Sequence, residues 1–261
     1  MPAIRKTLWT LNIGNYAPEL CQLTYPFLKI YADKIGAQFE IIDERQYPGF
    51  PAVYEKLQIH QRGKENDWNI YIDSDALIFP DMIDVTERIE KDTVCHYATD
   101  HASNRWRYDD YFRRDGRDIG SCNWFTVASD WCLDLWHPLE SSNDALRDAV
   151  ENIRPIISER LAGIDATHLI DDYALSRNIA RYGLKVKTVL QILKEDDDKG
   201  VYAFHTHRMN LPEKIKEIRA GLERTRIGTL PEVKELSKMD LSDWLAEFGA
   251  NGVRLGVRAE R

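Results

Sequence analysis

The sequence predicts an α/β fold: a mostly parallel sheet flanked by helices, followed by a helical C-terminal extension. Three observations carry this. Thr7–Leu11 and Phe39–Ile42 are strand-like runs on either side of a segment with apolar residues at helical spacing (Tyr16, Leu20, Leu23, Phe27, Ile30, Ile35). That strand–helix–strand order implies a right-handed parallel crossover. Trp68–Pro80 holds a further strand, β-branched and aromatic at Ile70, Tyr71 and Ile72, that ends in two aspartates one residue apart. Beyond Met209 the pattern changes to two amphipathic helices, Leu211–Leu222 and Pro231–Phe248, with proline at their starts.

Taken in order, Asn12–Asn15 is a turn after the first strand, and Pro26 breaks the following helical pattern into two segments or kinks it. Gly36 is a C-terminal stop. Tyr47–Pro51 is a loop, and a short helix starts near Val53 and ends at Gly63. After Asp73-Ser74-Asp75 the chain turns apolar again, with a helical turn at Pro80 and Asp81 and a strand over Thr93–Ala98. Asp100–Gly120 has poor periodicity and interleaves His101, Arg105, Trp106, Arg107, Arg113, Arg114 and Arg117 with Asp109, Asp110, Asp115 and Asp118. A long irregular segment in a compact domain reads as a lid or acceptor loop, or as a charged surface excursion. Gly120–Ala128 is a strand region. Asp130 caps a helix whose Trp131, Leu135 and Trp136 read as core. Asn143–Gly163 is helical with an interruption at Pro155, and Leu169–Leu175 opens another helix that Gly183 stops. Leu184–Val189 alternates as a strand, Glu195–Gly200 is a turn, and Val201–His207 is the last strand.

Composition bounds the function. The chain has 261 residues, enough to bury a sizeable core, with a formal net charge of −8 that argues against nucleic acid as a partner. Cys21, Cys95, Cys122 and Cys132 form no C-x-x-C pair and read as reduced, mostly buried thiols of a cytoplasmic protein. No run is long and apolar enough to span a membrane, and no apolar signal region is expected at the N-terminus.

The chemistry concentrates at Asp73 and Asp75. If the backbone stays extended there, both side chains point to the same side. Two carboxylates together repel and need a counter-charge, which a hard divalent cation supplies. In open α/β sheets, ligands sit beyond the carboxyl ends of the strands, which is where this pair falls.

Apolar strand, Asp-x-Asp and an apolar restart, Ile72-Asp73-Ser74-Asp75-Ala76-Leu77-Ile78, resemble the metal-binding motif of GT-A glycosyltransferases, and especially the retaining galactosyl-, mannosyl- and xylosyltransferase-like group. The resemblance covers most of residues 5–208 in order and none of the tail. It implies a GT-A (Rossmann-like) mixed, mostly parallel sheet, with residues 1–208 as the nucleotide-sugar-binding catalytic domain and 209–261 as the extension. It implies Mn2+ or Mg2+ held by Asp73, Asp75 and the late-strand His205, with His207 in reserve. It makes Thr10, Asn12, Tyr16, Lys56, Asp73, Ser74 and Asp75 donor-binding residues. Tyr16 equally fits a helix-face core position, and Lys56 a solvated helix. Arg208 can meet a phosphate.

The family's Asn-x-Gly strand is matched only in part by Asn123-Trp124-Phe125, where the glycine is absent. Asn123 keeps a role toward sugar hydroxyls, and Trp124 fits either a sugar face or the core. Asp171-Asp172 stands where relatives carry an acidic–polar pair beside the acceptor, although acidic residues also suit any helix N-terminus. The expected reaction is sugar transfer from a nucleotide diphosphate sugar, UDP-sugar favoured over GDP-sugar, to a hydroxyl of a glycan or other acceptor. Two alternatives stay open: a haloacid-dehalogenase-type phosphatase, whose Asp-x-Asp follows the first strand instead, and a non-catalytic sugar- or metal-binding module.

Overall fold

The computed structural model describes residues 3–98, 106–108, 124–139, 149–161, 163–206 and 209–250. Its main sheet has six strands: β1 (Lys6–Leu11), β2 (Ala37–Ile42), β3 (Trp68–Ile72), β5 (Thr93–His96), β6 (Phe125–Ser129) and β7 (Lys185–Thr188), in the order β2-β1-β3-β6-β5-β7. β1 pairs in parallel with both β2 and β3, β6 runs antiparallel to β3 and β5, and β5 and β7 are parallel. The sheet is therefore mixed and mostly parallel, with β6 as the reversed strand. A separate two-stranded sheet pairs β4 (Ala76–Ile78) antiparallel with β8 (Ala203–His205).

Helix α1 (Pro18–Lys34) connects β1 to β2, and Gly36 at φ +67° ends it in the left-handed conformation that glycine adopts without steric cost. Of the two outcomes expected at Pro26, the split into two segments does not occur: one helix runs through it. Proline removes one helical hydrogen bond at a cost of about 3 kcal/mol. α1 compensates by packing on two sides. Tyr25, Leu28 and Tyr31 face the sheet core with Leu8, Phe39 and Ile70, while Leu20 and Phe27 meet Leu77, Ile218 and Val233. Tertiary burial of this kind outweighs local propensity.

The opposite sheet face is covered by a 3-10 segment (Ala52–Gln58) running into α2 (Ile59–Arg62), by a second 3-10 segment (Asp130–Trp136) and by α4 (Ile170–Tyr182). A short helix, α3 (Ile157–Leu161), precedes α4. Tyr54, Leu57, Leu135, Trp136, Ile170 and Ile179 fill that layer. Ser129, not Asp130, caps the second 3-10 segment, its hydroxyl accepting from Trp131 N at 3.0 Å. Trp131, expected in the core, is 70% exposed because the tight turn throws it outward, whereas Trp136 is fully buried.

A helix that the sequence reading missed, α5 (Val189–Glu195), follows β7 and begins with a capping box between Thr188 and Gln191. The C-terminal segment forms α6 (Leu211–Thr225), α7 (Pro231–Leu236) and α8 (Leu241–Phe248). α8 inserts Trp244, fully buried, edge-on against Tyr25 and Phe39 at 5.6 and 6.0 Å. The C-terminal helices are thus seated on α1. Cys21, Cys95 and Cys132 are free and buried. Among the described residues, no helix is long and apolar enough to cross a membrane.

Candidate active site

Asp73 follows β3 at the carboxyl ends of the parallel strands. Its backbone N donates to Trp124 O at 2.8 Å, and its carbonyl accepts from Ala76 N at 3.1 Å. Asp73-Ser74-Asp75 is therefore a turn and not the extended segment expected. The two carboxylates converge because the chain folds back, not because side chains alternate along a strand. Ser74 secures the turn: its hydroxyl donates to Leu11 O, and its carbonyl accepts from Thr24 Oγ1 at 2.6 Å.

The turn leads into β4, whose pairing with β8 sets Ala76 opposite His205. That register brings His205 Nε2 to 3.2 Å from Asp75 Oδ1 and 3.7 Å from Asp73 Oδ2. One ligand atom from each of the three residues lies within 4.8 Å of the others, so the group can hold a metal ion. The donor set is chemically apt, since carboxylate oxygens with one imidazole suit Mn2+ and Mg2+. The Trp124 ring stacks on His205, 5.0 Å between centroids and 13° between planes, and restrains the imidazole.

Each carboxylate has its own partner. Asp73 Oδ1 accepts from the Tyr71 hydroxyl at 2.6 Å and lies 3.3 Å from Lys56 Nζ. Burial and the Asp73 charge push the Tyr71 phenol far above its usual range, so it stays a donor. Asp75 Oδ2 accepts from Lys214 Nζ, which also lies 3.4 Å from the Tyr16 hydroxyl. Burial opposes ionisation of Asp75, but His205 and Lys214 outweigh it and hold the carboxyl well below the usual range.

Lys56 is not a solvated helix lysine. It is 1% exposed, with Asp171 Oδ2 at 2.7 Å and the Tyr71 ring centroid at 4.4 Å. Burial works against its charge, but Asp171 and Asp73 more than compensate and raise its pKa. It joins the Asp-x-Asp turn to the first turn of α4. The neighbouring Asp172 accepts from the Tyr108 hydroxyl at 2.8 Å and lies 3.6 Å from Arg107 Nη1. Burial, helped by Asp171 and resisted by Arg107, pushes the Asp172 carboxyl up to about 6. Arg107 also pairs with the buried Glu159 of α3.

These groups, Tyr108 excepted, line a cavity of about 670 Å³ bounded further by Tyr16, Trp124, His168 and Leu169. It gathers Tyr16, Lys56, Asp73, Ser74, Asp75, Asp171, Asp172 and His205 from the sequence-derived set. Thr10 and Asn12 do not line it. Thr10 is fully buried in β1. Asn12 is buried with its carboxamide bound to Tyr16 N and O and to the Tyr25 hydroxyl, so it shapes the turn before α1. Asn123, His207 and Arg208 lie outside the described residues, as does most of Asp100–Gly120.

Sequence reasoning missed Lys214, Tyr71, Tyr108 and Glu159, and named Arg107 only as one of several cations in the 100–120 segment. For Lys214 a signal existed: only five residues separate His205 from the start of α6, so its first turn must lie near the site. Arg107 and Glu159 sit in irregular or short helical stretches with no spacing to single them out.

No family model and no curated protein matches this chain. Among solved structures, it is similar to a glycosyltransferase involved in glycosylation of the major capsid of PBCV-1, with 9% identity, coverage of 84% of this chain and 100% of that one, and a TM-score of 0.48. It is similar to the galactosyltransferase LgtC, solved with donor and acceptor sugar analogs, with 11% identity, 82% and 95% coverage, and a TM-score of 0.48. It is also similar to mouse xyloside xylosyltransferase 1 in its apo form, with 9% identity, 78% and 98% coverage, and a TM-score of 0.49.

Proposed function

We propose that this chain is a metal-dependent glycosyltransferase that moves a sugar from a nucleotide diphosphate sugar, with UDP-sugar favoured, to a hydroxyl of a glycan or other acceptor. The observation that carries the reading is the convergence of Asp73, Asp75 and His205 on one point of a cavity large enough for such a donor. The Asp-x-Asp sequence context, strand before and apolar restart after, supports the same reading.

In this scheme Asp73, Asp75 and His205 hold Mn2+ or Mg2+. An ion held there would supply positive charge to stabilise the departing nucleoside diphosphate. The chain's own residues do the rest. Tyr16, 40% exposed where it borders the cavity, offers a ring and hydroxyl to the nucleotide portion. Lys56 bridges Asp73 and Asp171 and fixes them relative to each other. Asp171 and Asp172 stand on the α4 side, where an acceptor hydroxyl would enter, and Asn123 and Arg208 are proposed to complete the sugar and phosphate contacts. Retention of configuration is proposed on the sequence resemblance.

The test is release of free nucleoside diphosphate from a panel of UDP- and GDP-sugars with Mn2+. The expected result is turnover with at least one donor, abolished by chelation and reduced by about 10²-fold or more in Asp75→Asn, since charge stabilisation is usually the largest catalytic contribution. Turnover that is unchanged by chelation, or no turnover and no donor-induced thermal shift with any sugar nucleotide, would contradict the assignment.

A further inference from the structure

Arg107 serves two carboxylates at once. Its Nε donates to Glu159 Oε2 at 3.2 Å and its Nη2 to Glu159 Oε1, a bidentate pair with α3. Its Nη1 lies 3.6 Å from Asp172 Oδ2 on α4. The Tyr108 hydroxyl donates to the same Oδ2 at 2.8 Å. Arg154 N donates to Arg107 O at 3.0 Å, so backbone as well as side chain ties residues 106–108 to the chain around α3. Arg107, Tyr108, Glu159 and Asp172 are all buried. A forked Arg–Glu pair is complete in itself, and a carboxylate buried only for structure is expected to have donors on both oxygens. Asp172 departs from this. Among the described residues, both recorded side-chain partners of its carboxylate meet Oδ2, and the residue borders the cavity.

We propose that Arg107 and Tyr108 are positioning residues for the acceptor side of the cavity: they hold Asp172 by Oδ2 and leave Oδ1 to take the hydrogen bond of the incoming hydroxyl. This rests on the transferase reading above. Glu159 fixes the guanidinium from behind, so Nη1 stays aimed at α4. The Tyr108 ring packs edge-on against Tyr173, 5.7 Å between centroids, which sets the direction of its hydroxyl. Oδ2 faces two donors, so a proton that neutralises Asp172 goes to Oδ1 and turns an acceptor atom into a donor. Burial pushes this carboxyl up to about 6; Asp171 adds to that, and Arg107, the Tyr108 hydroxyl and Lys56 resist it. Orientation of the acceptor is therefore lost as pH falls through that value.

The experiment follows nucleoside diphosphate release by the full chain at saturating Mn2+, from about pH 5 to pH 8, with water as the acceptor. The chains are wild type, Tyr108→Phe and Asp172→Asn. The donor is whichever sugar nucleotide wild type turns over. Tyr108→Phe keeps the ring and removes only the hydroxyl. Its kcat should fall by about tenfold with the KM for donor unchanged, as misplacing a contacting group does. Its low-pH limb should move to higher pH, because the lost hydrogen bond favoured the ionised carboxylate. Asp172→Asn should lack that limb. Thermal unfolding checks folding. If Tyr108→Phe does not fold, Arg107→Lys replaces it: the charge beside Glu159 stays, the fork to Asp172 goes, and kcat should fall in the same way. A variant with altered thermal stability but wild-type kcat and pH limb would make the contacts structural and overturn the inference. So would a raised donor KM with kcat unchanged, or a wild-type limb in Asp172→Asn. Wild-type protein that turns over no donor would sink the transferase reading itself, and this inference with it.

Discussion

The site contains two pairs of aspartates, and they are built in opposite ways. Asp73 and Asp75 flank the middle residue of a turn after β3, and one oxygen of each faces His205 Nε2, at 3.7 and 3.2 Å. Asp171 and Asp172 are adjacent in the first turn of α4, where successive side chains diverge by about 100°. Asp171 goes to Lys56 and Asp172 to Arg107 and Tyr108. The first pair converges and shares one open space; the second is divided between two buried cations. Both pairs are met by protein cations, but the first also turns one oxygen of each carboxylate toward His205, and that shared space is what makes a place for a dication. Lys56 links the two pairs, lying 3.3 Å from Asp73 and 2.7 Å from Asp171.

That link is where the arrangement breaks most severely. Lys56→Met keeps the apolar stem but leaves Asp73 and Asp171 without their shared cation. Removing one member of a buried ionic group costs about 3–5 kcal/mol. Urea unfolding should show a loss of that size in the wild-type fold. A loss below about 1 kcal/mol would mean that water or the remaining partners already compensate the two carboxylates.

A smaller effect separates the two aspartates of the divided pair. Asp172 titrates near 6 in the folded protein against an ordinary value of 3.8. Because the folded value is raised, the stabilising contribution is complete below the unfolded value and is lost as pH rises through 6. Asp172→Asn cannot titrate. The stability of wild type relative to this variant should therefore decline by on the order of 3 kcal/mol between pH 3.5 and pH 7.5, read from urea unfolding at intermediate steps. A flat difference across that range would mean that Arg107 and Tyr108 fully offset the burial of Asp172.

Much of this was legible in the sequence, and the reasons are local. β1, β2 and β3 are short apolar runs bounded by polar residues, and Gly36 and Gly183 occupy left-handed positions at helix ends. Asp73, Asp75 and His205 each border such a run, which is why all three stood out. The backbone at Asp73–Asp75 was misjudged because period-two alternation applies only while the chain stays extended. At Pro26 the choice between two segments and one continuous helix was not legible, because the proline's cost is offset by contacts on both sides of α1, which no local pattern displays. Lys214 had a weak signal in its closeness along the chain to His205, whereas Arg107 and Glu159 could not be chosen from dozens of charged residues. Their roles come from long-range packing: α6 against α1, and α3 against the 106–108 segment. Trp131 and Trp136 have the same composition signal and opposite burial, since only the tight 3-10 geometry separates their faces.

The distinction between the converging and the divided pair comes down to which aspartates bind metal. Titration of Mn2+ into chelated protein by calorimetry answers it with five chains: wild type, Asp75→Asn, Asp172→Asn, His205→Ala and His207→Ala. The expected result is one Mn2+ per wild-type chain, loss of that binding in Asp75→Asn and His205→Ala, and retention in Asp172→Asn and His207→Ala. Full-strength binding in Asp75→Asn, or its loss in Asp172→Asn with Asp75→Asn unaffected, would contradict the assignment of the metal centre to the turn after β3.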